Sequence, residues 1–571
     1  MSTHVRRCLA PRLRLCGGAL VLFALLCGCA REPRAAGTLR LATLSDASYL
    51  DPARAYDTSS IQFVRVLYRG LVDYDERANL VNEVAKKRSV SPDGKTFRFV
   101  LRPDVHFHSG RRVVAEDFRY ALERVLDPKT QSDGLSIFSI IEGAKEYSKE
   151  VEADNAWLKR RKNAGTSFSE LKPIGIGMRH VSGIEVKGDD EISFRLKRPD
   201  ATFLNYLALP FAYAVPREHV ERLEKQGKSL SENPDGCGPF MMKPSDWVHD
   251  GWISLKRNPK YFHPGLPKAE RIEVQMGVSP TLQTMLFEQG RTDVLSMSDV
   301  PAPEFIRFTH DPKWKPLMLH GPMMDVRYIC LNTEMKPFDN VLVRRAMNYA
   351  IDRERVASFL SGRASTARGA LPPQMPGYNP QLFKYGYDPK KARQLLKEAG
   401  YANGFDKKIT LWYSTDQPWY AQAAQSIQGN LKEVGVDIAL KPVRYAELKA
   451  KAGQRGALEM SMLGWIQDFP DPSNFLDVLF NGEKITPTAS NNRAFYNNKK
   501  VNKLLDEALG EVDRARRLKM YQEAEALVVQ DAPWVFLHHT ERFVLRQPWV
   551  SGYTLHPMWS ERFEHVGVAG S

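Results

Sequence analysis

Apolar and polar residues alternate with two different periods along this chain. Residues 38–43 and 96–101 alternate strictly, the second run after the turn Ser91-Pro92-Asp93-Gly94, and both read as strands. The same pattern predicts strands over 192–196, 252–256, 271–276, 409–413 and 436–440. Helical spacing instead marks 61–71, Ala115–Leu126 (opened by Glu116 and Asp117), 339–352, 388–399, 418–434 and two helices within 501–529. The helix at 388 begins Asp-Pro and is stopped by Gly400. Strand and helix alternate through the second half, which argues an α/β fold, and no internal repeat is visible.

Two segments break these patterns. Residues 146–162 are highly charged and suit an exposed helix, and 163–177 are punctuated by Gly, Ser and Pro. Together, 148–178 read as an insertion or flap. At the start, Arg6, Arg7, Arg12 and Arg14 precede residues 16–27, which are apolar or small throughout. That is a basic region followed by an apolar run of signal-peptide length, shorter than the roughly 20 residues of a membrane-spanning helix. Leu26-Cys27-Gly28-Cys29 resembles the bacterial lipobox, which makes 1–28 a leader, Cys29 the lipidated first residue, and 29–37 a short polar tether. An ordinary signal peptide and an N-terminal membrane anchor are the alternatives. Beyond residue 29 no apolar stretch is long enough to cross a membrane.

The formal charge is +14, and the leader takes four of those charges with it. The remaining Lys and Arg are scattered, without a basic block, so a solvated basic surface is expected and nucleic acid is not. Once the leader is removed, Cys237 and Cys330 are the cysteines left besides Cys29. They would form either one disulfide or two isolated buried thiols.

A set of segments, in order, resembles one family: the extracellular solute-binding proteins of ABC importers, family 5, the oligopeptide, dipeptide and nickel class. The segments include Leu50-Asp51-Pro52, the run Ser91 through Arg102, Phe107-His108-Ser109-Gly110, Val114-Ala115-Glu116-Asp117-Phe118 and Gly238-Pro239-Phe240. Lys256-Arg257-Asn258-Pro259-Lys260-Tyr261-Phe262, the run Phe338 through Ala346, the run Leu395 through Tyr401 and the run Gly464 through Pro472 follow. The resemblance implies an α/β, two-lobed periplasmic-binding-protein type II fold with an extra inserted domain. Domain I would comprise 38–63, 181–275 and 541–571, domain II 64–180, and domain III 276–540. It implies a monomeric receptor, at the membrane by its lipid, that closes on a peptide ligand and hands it to an ABC permease. No cofactor and no metal are implied.

The same resemblance proposes site residues. Asp468 would hold the peptide ammonium, with Gly464, Trp465 and Ile466 beside it; a turn or capping aspartate and a core Trp are the plainer readings. Cys237 and Gly238 match a loop that faces ligand backbone in relatives, although several of those carry a small polar residue at the Cys237 position. Tyr56 and Asp57 fall in a segment that pairs with ligand. His538, His539 and Thr540 stand where peptide-binding relatives place aromatic residues. Arg455 lies near an Arg used for the peptide C-terminus, or is simply a surface residue. The family also includes receptors for nickel chelates, haem and sugars, and Leu126-Asp127-Pro128-Lys129-Thr130 resembles the oligopeptide branch. An exported enzyme would need a nucleophile–base pair or a metal set. The sequence contains no His-Glu-x-x-His, Gly-x-Ser-x-Gly or Cys-x-x-Cys. His106-Phe107-His108 would share a face in a strand, with no carboxylate placed beside them by sequence.

Overall fold

The computed structural model describes residues 37–163, 179–559 and 561–570. Three larger sheets organise them, beside two two-stranded ones. In the first, Thr38–Ala42 runs parallel to Arg271–Gln275, which pairs antiparallel with Trp252–Arg257. The second is antiparallel, in the order Ala85–Val90, Thr96–Leu101, Glu191–Arg195, Ile184–Lys187. Thr96–Leu101 buries Phe97, Phe99 and Leu101 and turns Arg98 outward, as its alternation requires.

The third sheet has eight strands and is built around the 13-residue strand Trp534–Arg546. The first part of that strand pairs with Asp325–Leu331, which continues through Met460–Ile466 to Ile409–Ser414 and Ile438–Val443. Its last part pairs with Val294–Ser296 and Met318–Pro322. The first two sheets form one lobe and the third forms the other, the two-lobed α/β arrangement expected. The chain's crossings between lobes are tied together near Asp293. Its carboxylate accepts from the Arg40 N–H at 2.7 Å, its N–H donates to the Arg40 carbonyl at 2.8 Å, and the Gln547 N–H donates to its carbonyl at 2.9 Å.

Several expected boundaries move, for local reasons. The helix expected over 61–71 is Thr58–Leu67: Asp57 accepts from the Ser60 N–H at 2.9 Å and starts it early, and Tyr68 turns extended and ends it. The strand expected from 436 begins at Ile438, because the Val436 N–H closes the preceding helix onto the Leu431 carbonyl at 2.9 Å beyond Gly435, whose φ is +84°. The charged segment does form a helix, Ala144–Asn163, but it is anchored: Val151 is buried and Asn155 Nδ2 donates to Asp127 at 2.9 Å. Residues 1–36, with Cys29, and residues 164–178 of the insertion lie outside the described residues.

The domain boundaries also need correction. A division at 180/181 leaves Ile184–Lys187 and Glu191–Arg195 in domain I, yet both belong to the second sheet. Divisions at 63/64 and 540/541 cut the helix Thr58–Leu67 and the strand Trp534–Arg546. A continuous helix or strand thus crosses two of these proposed cuts, and the pairing of the second sheet spans the third.

Cys237 and Cys330 are both buried free thiols, so the disulfide alternative fails. Burial pushes each thiol up to about 12. His106 and His108 do not share a strand face. His106 Nδ1 lies 3.2 Å from the Asp104 carbonyl and His108 Nε2 lies 3.2 Å from that of Gly238. Among the described residues no group of three His, Cys, Asp or Glu is placed to hold a metal.

Candidate functional site

A cleft of about 690 Å3 separates the lobes. One wall carries Tyr56, Gln62 and Phe211, and the other carries Met324, Gln374, Ile466, Gln467 and Asp468. Tyr56 stacks at a tilt on Phe211, with centroids 5.6 Å apart. Its hydroxyl donates across the cleft to Asp468 Oδ1 at 3.1 Å.

Asp468 follows the strand Met460–Ile466 in a tight turn, and Asn474 fixes that turn. The Asp468 N–H donates to Asn474 Oδ1 at 2.9 Å, and Asn474 Nδ2 donates to Asp468 Oδ2 at 3.0 Å. Trp465 Nε1 shares the same Asn474 oxygen at 3.2 Å. Both carboxylate oxygens therefore meet neutral donors, and among the described residues no cation lies within ion-pair distance. Burial raises the Asp468 pKa above the ordinary carboxylate value, opposed by the hydrogen bonds from Asn474 and Tyr56 and by the more distant Lys449. Burial and the Asp468 charge likewise raise the Tyr56 phenol. A ligand cation docking here would supply the charge partner that the site lacks.

The family model for bacterial extracellular solute-binding proteins, family 5, middle region, matches residues 79–487. The chain belongs to that family. It is 29% identical to heme-binding protein A of Haemophilus influenzae over 90% of this chain and 88% of that one. It is also 29% identical to the glutathione-binding protein GsiB of Escherichia coli strain K12, over 90% of each chain. Among solved structures, the periplasmic binding protein DppA of Helicobacter pylori in complex with the peptide STSA superimposes with a TM-score of 0.73 at 27% identity, covering 93% of this chain and 98% of that one. Clavulanic acid biosynthesis oligopeptide binding protein 2 shares the fold, with a TM-score of 0.81 at 23% identity over 94% of this chain and 96% of that one.

In this solute-binding protein, the residues suggested by sequence divide into two groups. Tyr56, Ile466 and Asp468 line the cleft, and Ile466 is 39% exposed there. Trp465 stands behind them as a support for Asn474. Gly464 is buried opposite Arg327, where a Cβ would sit 2.3 Å from Nη1, so its role is close packing. Asp57 is exposed and caps a helix.

The other suggested residues are not brought to the cleft. Cys237 is buried beneath the first helix. The Gly238 N–H donates to the Leu67 carbonyl at 2.9 Å, and the Gly238 carbonyl accepts from Asn258 at 2.9 Å, so neither group is left for a ligand. The Thr540 N–H and hydroxyl both donate to the Asp325 carboxylate at 2.7 Å, and His539 Nδ1 lies 2.6 Å from the Asp325 carbonyl. His538 is wholly buried beside Trp419. Burial, with the positive Arg327 and His539 nearby, pushes its pKa down to about 3, so it stays neutral. Arg455 pairs bidentately with Glu334 at 2.6 and 2.7 Å on an exposed face.

Sequence reasoning missed two contributors, Asn474 and Gln467. Asn474 is the second residue of the helix Ser473–Phe480, just after the Pro470-Asp471-Pro472 turn. Gln467 donates to the Pro557 carbonyl at 3.3 Å while its Oε1 is buried without a partner among the described residues, an acceptor available to a ligand N–H.

Proposed function

We propose that this protein is the extracytoplasmic substrate-binding component of an ABC importer, that it acts as a monomer in the periplasm, and that its cargo is a peptide. It binds and delivers; it does not transform. The observation that carries the reading is the Asp468 carboxylate, held in the cleft between the lobes by neutral donors and without a cation among the described residues. The relatives whose names specify glutathione and a bound peptide bind ligands with a free amino group, which fits that site. An oligopeptide is favoured over a dipeptide because Leu126-Asp127-Pro128-Lys129-Thr130 resembles the oligopeptide branch.

The physical cycle follows from the hinge. Both crossings between the lobes are short and paired near Asp293, so the lobes can rotate about that point with little loss of sheet hydrogen bonds. Closure excludes water, which strengthens each polar contact to the ligand. A ligand touching both walls shifts the population toward the closed form. Solution scattering should therefore give a smaller radius of gyration with saturating tripeptide than for verified empty protein. Equal radii would count against the reading.

Attachment to the membrane is assigned to lipid on Cys29, on the strength of the Leu-x-Gly-Cys end of the leader. Cys29→Ser should release the protein into the soluble fraction with peptide affinity intact. The wild-type N-terminal peptide should carry a diacylglycerol mass that the variant lacks. Unchanged fractionation together with no lipid mass would exclude the anchor.

A further inference from the structure

Beside the turn that carries Asp468 lies a second compartment of about 540 Å3, walled by both lobes. One lobe contributes Arg77, in the loop between Val72–Tyr74 and Leu80–Asn82. The other contributes Asp471, together with Arg514 and Arg517 of the helix Arg514–Asp531. Arg517 donates through Nη2 to Asp471 at 2.5 Å, and its Nη1 is buried without a partner among the described residues. Arg77 and Arg514 are exposed, and neither has an ion-pair partner within 4 Å among the described residues. Three guanidiniums thus face one carboxylate in a space large enough for a side chain, an arrangement suited to a bidentate anion.

We infer that the compartment formed by Arg77, Arg514 and Arg517 binds a carboxylate carried by the first residue of the cargo. This rests on the proposed role of Asp468 as the ammonium site. Asp468 and Asp471 are three residues apart, so their Cα atoms are separated by at most about 11 Å. The anion site is therefore within reach of a substituent on the same residue whose ammonium meets Asp468. Two chemistries present a carboxylate there: a glutamate side chain on residue one, or the α-carboxylate of a γ-linked glutamyl residue. Because Arg77 and Arg514 belong to opposite lobes, an anion between them also favours the closed form.

The test is calorimetry with Glu-Ala-Ala, Gln-Ala-Ala and γ-glutamyl-Ala-Ala. The wild type should bind at least one of the two acidic peptides about tenfold or more tighter than the Gln peptide, as a charge-assisted pair exceeds a neutral one. The acidic peptide that wins identifies the source of the carboxylate. In the double variant Arg77→Met/Arg514→Met the ratio of acidic-peptide to Gln-Ala-Ala affinity should fall below about threefold, which reads the loss of two charge-assisted contacts against an internal control. Both substituted residues are exposed, and the Arg517–Asp471 pair is left in place. If Gln-Ala-Ala binds the wild type as well as both acidic peptides, or the advantage survives in the variant, the anion site is overturned while the peptide reading stands. If no peptide binds, the peptide reading fails and the anion site is decided separately by phenylglyoxal modification of Arg77 and Arg514. Protection by glutarate, but not by chloride at equal ionic strength, supports it, and no protection overturns it.

Discussion

Asp468→Asn is expected to weaken peptide binding by about two to three orders of magnitude. Removing one member of a buried charged pair costs about 3–5 kcal/mol, chiefly because the other charge stays buried and unpaired. Here the peptide ammonium would be stranded in a closed cleft. The neutral groups around Asp468 cannot replace its charge: Asn474 Nδ2 is a donor only, and the Tyr56 hydroxyl, which can accept, carries no negative charge. The amide keeps the shape of the acid, so the turn should survive, although one of its donors will face the Asn474 amide. N-acetylating the peptide deletes the same interaction from the other side. A four-way calorimetric cycle of wild type and variant against free and acetylated peptide should then show strong coupling. Simple additivity, or full affinity of the wild type for the acetylated peptide, would remove Asp468 from this role.

Arg69→Met should destabilise the protein by about 3–5 kcal/mol without touching the cleft. Arg69 is 1% exposed and donates to Glu83 and to Glu564 at 2.9 and 3.0 Å. Tyr261 donates to the same Glu83 oxygen at 3.2 Å, His263 meets the other at 3.1 Å, and Arg562 holds Glu564 at 3.1 Å. One guanidinium therefore joins residues 69, 83, 261 and 564, and its loss takes a directly bonded positive charge from two buried carboxylates. Burial would raise the Glu564 pKa; attraction from Arg69, Arg562 and Arg65 overrides it and holds the group at about 2. A depressed acid contributes stability above its unfolded pKa, near 4.5, and that contribution is lost as pH falls through the folded value. Wild-type urea midpoints should thus fall from pH 5 toward pH 2. In the variant the midpoint at pH 7 should be lower, and its dependence on pH over that window shallower. A variant matching the wild type at pH 7 would show that the network carries no net stability.

The sequence determined more of the elements than of the site. Alternation at Phe97, Phe99 and Leu101 placed a strand because one face of a pleated chain must be buried. The Asp-Pro start and glycine stop placed the helix Pro389–Glu398, because capping is local chemistry, settled within a few residues. Family segments spread along the chain were enough to point to the two-lobed fold. Asp468 was legible only through its motif; its neutral surroundings were not. Those depend on Tyr56, 412 residues away, and on an asparagine whose importance comes solely from facing the carboxylate. Gly238 and Thr540 stand away from the cleft for the matching reason: a motif position does not reveal that its polar groups are already spent on Leu67, Asn258 or Asp325. The domain cut at 180 parts strands that pair, because strand pairing joins residues without regard to their distance in sequence, and the cut at 540 falls inside one 13-residue strand. Local propensity and patterning determined which elements form; which polar groups remain free to meet a ligand was decided only when tertiary packing had satisfied the rest.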